Sequence, residues 1–238
     1  MSTLNFLYQK QYAINDSIHV VIPTVGEVID NEDEYYGLVS VLTAMPVDLL
    51  VQLDDAGIDF TTINEYELFL IMFDGLRTQD THLIFGDLDL TKFEMTTNPQ
   101  NGKVILVDRE NDITIDRAIH GQIAAALRKI HHLKQNRRKP ANKEAKEYMI
   151  ERARAKMRRN RNRKQASQLE SLIVALVNTE QYKYNYEGTR ELSIYQFNES
   201  VQQIIKKINY DNTMRGVYAG TLRVKDLNQD DLNWLIHK

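Results

Sequence analysis

An α+β fold with most of its mass in helices is predicted by three features of the sequence. Apolar residues recur at three- and four-residue spacing through most of the chain, short β-rich runs separated by turn residues cluster between about Leu83 and Ile115, and capping signatures open several helices. The chain has 238 residues, 42% of them hydrophobic, enough to bury a real core. It has no cysteine, which excludes disulfides, thiolate metal sites and thiol catalysis. The start MSTLNFLYQKQY lacks a secretory pattern and no apolar run nears the ~20 residues of a membrane span, so neither export nor insertion is expected.

The elements follow in order. SIHVVIP is a short strand stopped by Pro23, and Thr24-Val-Gly-Glu27 has the spacing of a capping box opening a short helix. EDEYYGLVSVLTAMP is a second helix, acidic in its first turn where the dipole favours carboxylates, with Tyr35, Leu38, Val39 and Leu42 on one face and Pro46 as its stop. VDLLVQLDDAGIDF is a third, with Gly57 supplying the left-handed residue past its end, and NEYELFLIMFDGL is a fourth. THLIFGDLDL, TKFEMTT, KVILV and DITI predict a small β-meander, with Asn101-Gly102 as a two-residue type I′ turn. Asp116 caps a helix whose Ile119, Ile123, Leu127, Ile130 and Leu133 share a face. After a turn at RRKPANKEA come a basic helix at about 142–163, a helix through LIVALV behind Ser167, another at 194–208 behind Ser193, and a short tail helix docked by Leu232, Trp234 and Leu235. The organisation read from this is an acidic N-terminal domain, 1–117, of helices plus the meander, and a helical C-terminal domain, 118–238, that contains the basic helix.

Charge is strongly segregated along the chain. Residues 1–127 carry a net −15, residues 128–164 a net +13 and residues 165–238 a net −1. RARAKMRRNRNRK, Arg152 to Lys164, holds eight cations and no acid. Within that helix Ala145, Met149, Ala153 and Met157 form a narrow apolar stripe, everything else being expected to face water. As a nucleic-acid module such a run would contact phosphates with steep salt dependence. Yet only Tyr148 is near to stack on a base, and the acidic body offers a competing surface, so docking on protein, in the same molecule or a neighbour, is the favoured reading. The candidate partner-binding residues are Met149, Arg152, Met157, Arg158, Arg159, Arg161, Arg163 and Lys164.

Signs of catalysis are sparse. His131 and His132 are adjacent and point about 100° apart on a helix, the wrong spacing for shared metal ligation. Asp116 and His120 have the right spacing but read as helix electrostatics. Asp54-Asp55 sits near a helix end, where acids are uncomfortable. Asp87 and Asp89 would share one side of a strand as solvated acids. The tyrosines 182, 184 and 186 alternate as a half-buried strand or loop. With no P-loop, GxGxxG, GxSxG or HExxH, the chain is not expected to be an enzyme or to need a cofactor or metal.

The ordered series HVVIPTVGEVID, EYYGLV, LDDAGIDF and ELFLIMF, then AAALRKIHHLKQNRRKP, YMIERAR, LIVALVNTEQYKYNY, SIYQFNESVQQI, GVYAGT and DLNWLIHK resembles proteins from the structural-gene regions of tailed phages and prophages of Gram-positive bacteria. In type it is similar to tail or baseplate assembly chaperones. That resemblance implies a cytoplasmic morphogenesis factor that binds tape-measure or tail-tube proteins; the pairing of an acidic body with a basic helix also allows a homo-oligomer. The alternatives are a neck or baseplate subunit retained in the virion, and a nucleic-acid-binding packaging or regulatory protein.

Overall fold

The computed structural model describes residues 6–160, 167–228 and 232–235, and the fold is α+β and predominantly helical. Strands β1 (Gln11–Ala13) and β2 (His19–Val21) form an antiparallel hairpin in which Tyr12 faces Val20 across the ladder. Pro23 ends the pairing, and Thr24 then opens α1 (Val25–Asp30) with a reciprocal box: Glu27 N donates to Thr24 Oγ1 at 3.2 Å and Thr24 N donates to Glu27 Oε2 at 2.7 Å. Helix α2 (Glu32–Thr43) buries Tyr35, Leu38, Val39 and Leu42, the face its sequence predicts. A 3₁₀ turn at Pro46–Leu49 runs into α3 (Leu50–Asp55), and Asn64 boxes the start of α4 (Glu65–Leu76).

The region expected to begin the meander is helical instead. Residues His82–Phe85 make a single turn, α5, preceded by Asp80, and Leu90–Lys92 a 3₁₀ turn capped by Asp89. Asp80 Oδ1 accepts from His82 N and Asp89 Oδ1 from Thr91 N, both at 2.9 Å, and Gly86 at φ +60° separates the two turns. These local bonds compete directly with a ladder, so β-rich composition loses here to side-chain capping. Asp87 and Asp89 consequently share no strand face.

Three strands remain, β3 (Glu94–Thr97), β4 (Val104–Asp108) and β5 (Ile113–Ile115), joined as an antiparallel meander. Both of its turns differ from a type I′ pair. Asn98 N donates to Lys103 O at 2.8 Å, closing a loop in which Gly102, at φ +68°, takes the left-handed conformation and Asn101 does not. The second loop repeats the design: Asp108 Oδ1 caps the N–H groups of Glu110 and Asn111 as Asn98 Oδ1 caps Gln100, and Asp112, at φ 55°, stands where Gly102 stands in the first.

Helix α6 (Arg117–Ile130), capped by Asp116, is the axis of the molecule. Ile123, Ala124, Leu127 and Ile130 are each at most 1% exposed, and burial of an isoleucine or leucine side chain contributes about 1.5–3 kcal/mol. Around α6 pack α2, α4, β2, β5 and the last long helix, α10, giving one large core that runs in sequence from Phe6 to Ile204 and draws on residues either side of 117. Helix α6 ends in a Schellman motif, with Leu133 N donating to Arg128 O and His132 N to Lys129 O, and His132 holding φ 52° where glycine is usual. This stops the helix before Leu133, which the sequence pattern assigns to its buried face but which is 44% exposed.

After α7 (Lys143–Asn160) come α8 (Gln168–Val177), α9 (Tyr186–Glu191) and α10 (Ile194–Tyr218). The caps of α1 and α10 lie side by side: Thr24 and Ser193 form an antiparallel bridge in which Val25 N donates to Leu192 O and Ile194 N to Pro23 O, each at 2.8 Å. Of the three alternating tyrosines, Tyr182 and Tyr184 lie in a loop, the first buried and the second exposed, whereas Tyr186 opens α9; α10 runs to Tyr218, well beyond the expected 208. Its added turns are held by Lys207 Nζ on Asp211 at 2.6 Å and by a second Schellman end at Gly220 that folds Leu222 back on Gly216. Trp234 docks on α10 as a partly buried side chain, its carbonyl accepting from Gln203 Nε2 at 3.0 Å and its ring 5.4 Å from Lys207 Nζ, rather than sinking into the core.

A candidate binding groove beside the basic helix

Helix α7 has one narrow apolar face and therefore needs only a shallow seat. That seat is a second, smaller core: Val47, Leu50, Val51 and Leu53 from the 3₁₀ turn and α3, with Phe60 and Leu68, receive Ile150 from α7, flanked by Met149 and Ala153. The stripe at four-residue spacing misses Ile150, which is 8% exposed and lies at the centre of the contact.

Charge fixes the orientation. The C-terminal end of α3 carries Asp54 and Asp55 against an unfavourable dipole. Arg154 Nη2 of α7 reaches both, at 2.7 Å from Asp54 Oδ2 and 2.6 Å from Asp55 Oδ1, and the paired carboxylates hold the guanidinium pKa above its usual value. About two turns earlier on α7, in the same seat, Lys146 Nζ lies 2.6 Å from Asp59 Oδ2 and, with the Thr61 hydroxyl, pulls the Asp59 carboxyl down to about 2. The basic helix thus docks within its own molecule through Lys146 and Arg154.

A strap of residues 131–142 ties α6 to α7 across the same surface. Its Gln135 Nε2 donates to Glu65 Oε2 at 3.1 Å and Asn136 Nδ2 to Asp48 Oδ1 at 2.7 Å, while Arg128 is ion-paired with Glu65 and donates to Thr43 O at 2.7 Å. Strap, α3 and α7 enclose an open groove of about 1200 Å³. Its floor is aliphatic and thioether, from Val47, Leu50, Val51, Met149, Ala153 and Met157. Its rims carry Arg138 and Lys139 on the strap side and Arg152, Lys156 and Arg158 on α7. A second cleft, of about 890 Å³, lies beside it and shares Val47, Asn136, Arg138 and Lys139.

The sequence-predicted residues divide accordingly. Met149 is partly buried between floor and seat, Met157 is 48% exposed, and Arg152, Arg158 and Arg159 face solvent. Arg159 stands outside the groove lining and donates weakly to Ala155 O at 3.4 Å. Arg161, Arg163 and Lys164 lie outside the described residues. Sequence reasoning missed Arg154 and Lys146 as docking cations, although the unsatisfied Asp54-Asp55 pair was a readable sign that a cation must arrive there. It also missed the strap residues Arg138 and Lys139, which no helical period could place.

The histidines have structural surroundings. His120 is 2% exposed and stacked on Phe69, ring centroids 4.3 Å apart; burial, the nearby Arg128 charge and, in the opposite sense, a hydrogen bond to the Leu42 backbone set its pKa at about 4. His131 Nε2 is hydrogen-bonded to the buried Tyr35 hydroxyl at 2.9 Å and is also lowered to about 4, by burial and then by His132. Among the described residues no group of three His, Asp or Glu side chains is placed to hold a metal ion, and no helix is long and apolar enough to cross a membrane.

Beyond α7 the chain continues as three helices, α8 to α10, which join the main core, and Trp234 lies against α10. Residues 160–237, covering these helices, match the YomV second domain, a family of phage and prophage type. The match supports a phage protein. The YomV second domain segment begins at the last residue of α7, so the groove precedes it except where α7 ends, at Asn160. No curated protein and no solved structure matches the chain.

Proposed function

We propose that the protein is a non-enzymatic morphogenesis factor of a tailed phage or prophage, an assembly chaperone that works in the host cytoplasm and binds structural proteins of the tail or baseplate. The observation that carries this reading is the groove beside α7. It is open, floored by flexible and branched apolar side chains and rimmed by cations, which suits a polypeptide surface better than a small substrate enclosed for chemistry. The phage-type segment at 160–237 supplies the biological setting. Methionines at 149 and 157 fit the task, because an unbranched thioether adapts to irregular partners.

Co-expression with tape-measure and tail-tube proteins of the same phage tests the proposal. The expected result is that those proteins stay soluble only when this chain is present and that the chain is missing from finished tails. Recovery of the chain as a stoichiometric part of the purified particle would replace the chaperone reading with that of a neck or baseplate subunit.

A further inference from the structure

The cations of α7 fall into two sets. Lys146 and Arg154 are spent on Asp59, Asp54 and Asp55. Arg152, Lys156 and Arg158, with Arg138 and Lys139 opposite, have no ion pair among the described residues, yet all five border one groove. The single carboxylate in that lining, Asp48, is already engaged, Oδ1 by Asn136 Nδ2 at 2.7 Å and Oδ2 by Met45 N at 2.9 Å. Between the two cationic rims runs the apolar floor. Met149 and Met157 are two helical turns apart, about 12 Å at 1.5 Å per residue.

Apolar floor and cationic rims together specify an occupant. A nucleic-acid backbone would meet the rims but has no aliphatic face for the floor, and none of the lining residues is aromatic, so no base could stack there. A helix with apolar residues on one side and carboxylates flanking them satisfies both features at once, in the helix-in-groove mode of recognition. We propose that this groove receives an acidic amphipathic helix of a partner protein, its apolar stripe on Met149, Ala153 and Met157 and its carboxylates between the strap and α7. The proposal rests on the assembly-factor reading only in taking the partner to be a protein, and it names where and by what chemistry that partner is held.

The test uses the full-length protein and a fluorescently labelled helical peptide of about four turns, leucine along one face and glutamate along the flanks, with a lysine counterpart as control. The glutamate probe should bind and the lysine probe should not. Met157→Glu should weaken binding at least tenfold, and the R152E/R158E pair, which leaves three cations facing three carboxylates, should abolish the preference for the glutamate probe. All three side chains are exposed, and circular dichroism of the variants verifies that the fold is kept. Equal binding of both probes would overturn the proposal. So would oligonucleotide binding that falls steeply with salt and ignores Met157→Glu, since that marks a phosphate site. Concentration-dependent self-association abolished by the same variants would also overturn it, giving the groove to a second copy of the chain. If the probe does not bind while tail proteins are still kept soluble, the groove assignment falls and the chaperone reading stands. Probe binding without protection of any tail protein does the reverse.

Discussion

At the scale of single residues, position relative to α3 matters more than charge. Arg152 and Arg154 are two residues apart and chemically identical, yet one reaches into solvent and the other spans two carboxylates. Arg154→Gln should therefore lower stability by about 0.4–2 kcal/mol, the range for two partly exposed pairs, while Arg152→Gln stays within about 0.5 kcal/mol of the parent; urea midpoints of the two variants measure the difference. The buried histidines set a second expectation. His120 and His131 have folded-state pKa values of about 4, below the ordinary 6.5, so the unfolded chain binds their protons more readily. Their neutral burial is fully tolerated above pH about 6.5 and becomes progressively costly as pH falls towards 4, by at most about 3 kcal/mol for each. Thermal midpoints measured across that interval should drop, and His120→Gln should flatten part of the fall. The Asp59 carboxylate acts lower down, its contribution being present above about pH 4 and lost towards 2.

Elements were legible where a cap and an apolar period agreed. Thr24, Asp116 and Ser193 all cap as their sequences state, and the faces of α2 and α6 are the buried ones. The departures share a cause: β-rich composition at 82–92 yields to aspartates bonding to nearby N–H groups, and Asn98 closes a longer loop than the two-residue turn that Asn101-Gly102 predicts. The candidate site was half legible, since the apolar stripe and the basic run are visible in sequence, whereas the seat of α7 depends on a contact about a hundred residues away. For the first loop, Gly102→Val should cost about 1–2 kcal/mol, because φ +68° is hostile to a β-branched side chain, whereas Asn101→Val, at a residue without positive φ, should cost less. Thermal unfolding of the pair reads this directly, and equal losses would contradict the loop geometry.

Across the whole molecule, the main core and the α7 seat are separate apolar clusters. Ile150→Asp should disturb the smaller one: buried charge without a partner is strongly unfavourable, so α7 should lift from α3 and become sensitive to trypsin at its arginines, while the cooperative unfolding of the larger core persists. Loss of all cooperative structure in this variant would show instead that the two clusters stand or fall together. The segregation of charge along the sequence becomes partly an internal matter, with Lys146 and Arg154 absorbed by α3 and its following loop and the cations of the groove left to face outward.

The bridge between Thr24 and Ser193 constrains how the chain is made. Ile194, Phe197 and Val201 belong to the same cluster as Phe6, Val25 and Val28, so the apolar surface around the first hairpin and α1 stays uncovered until a segment far later in the sequence has been made. Closure of this core has to follow synthesis of the segment at Ser193, and translation stalled between α1 and that residue leaves an unsealed product exposed to aggregation and proteases.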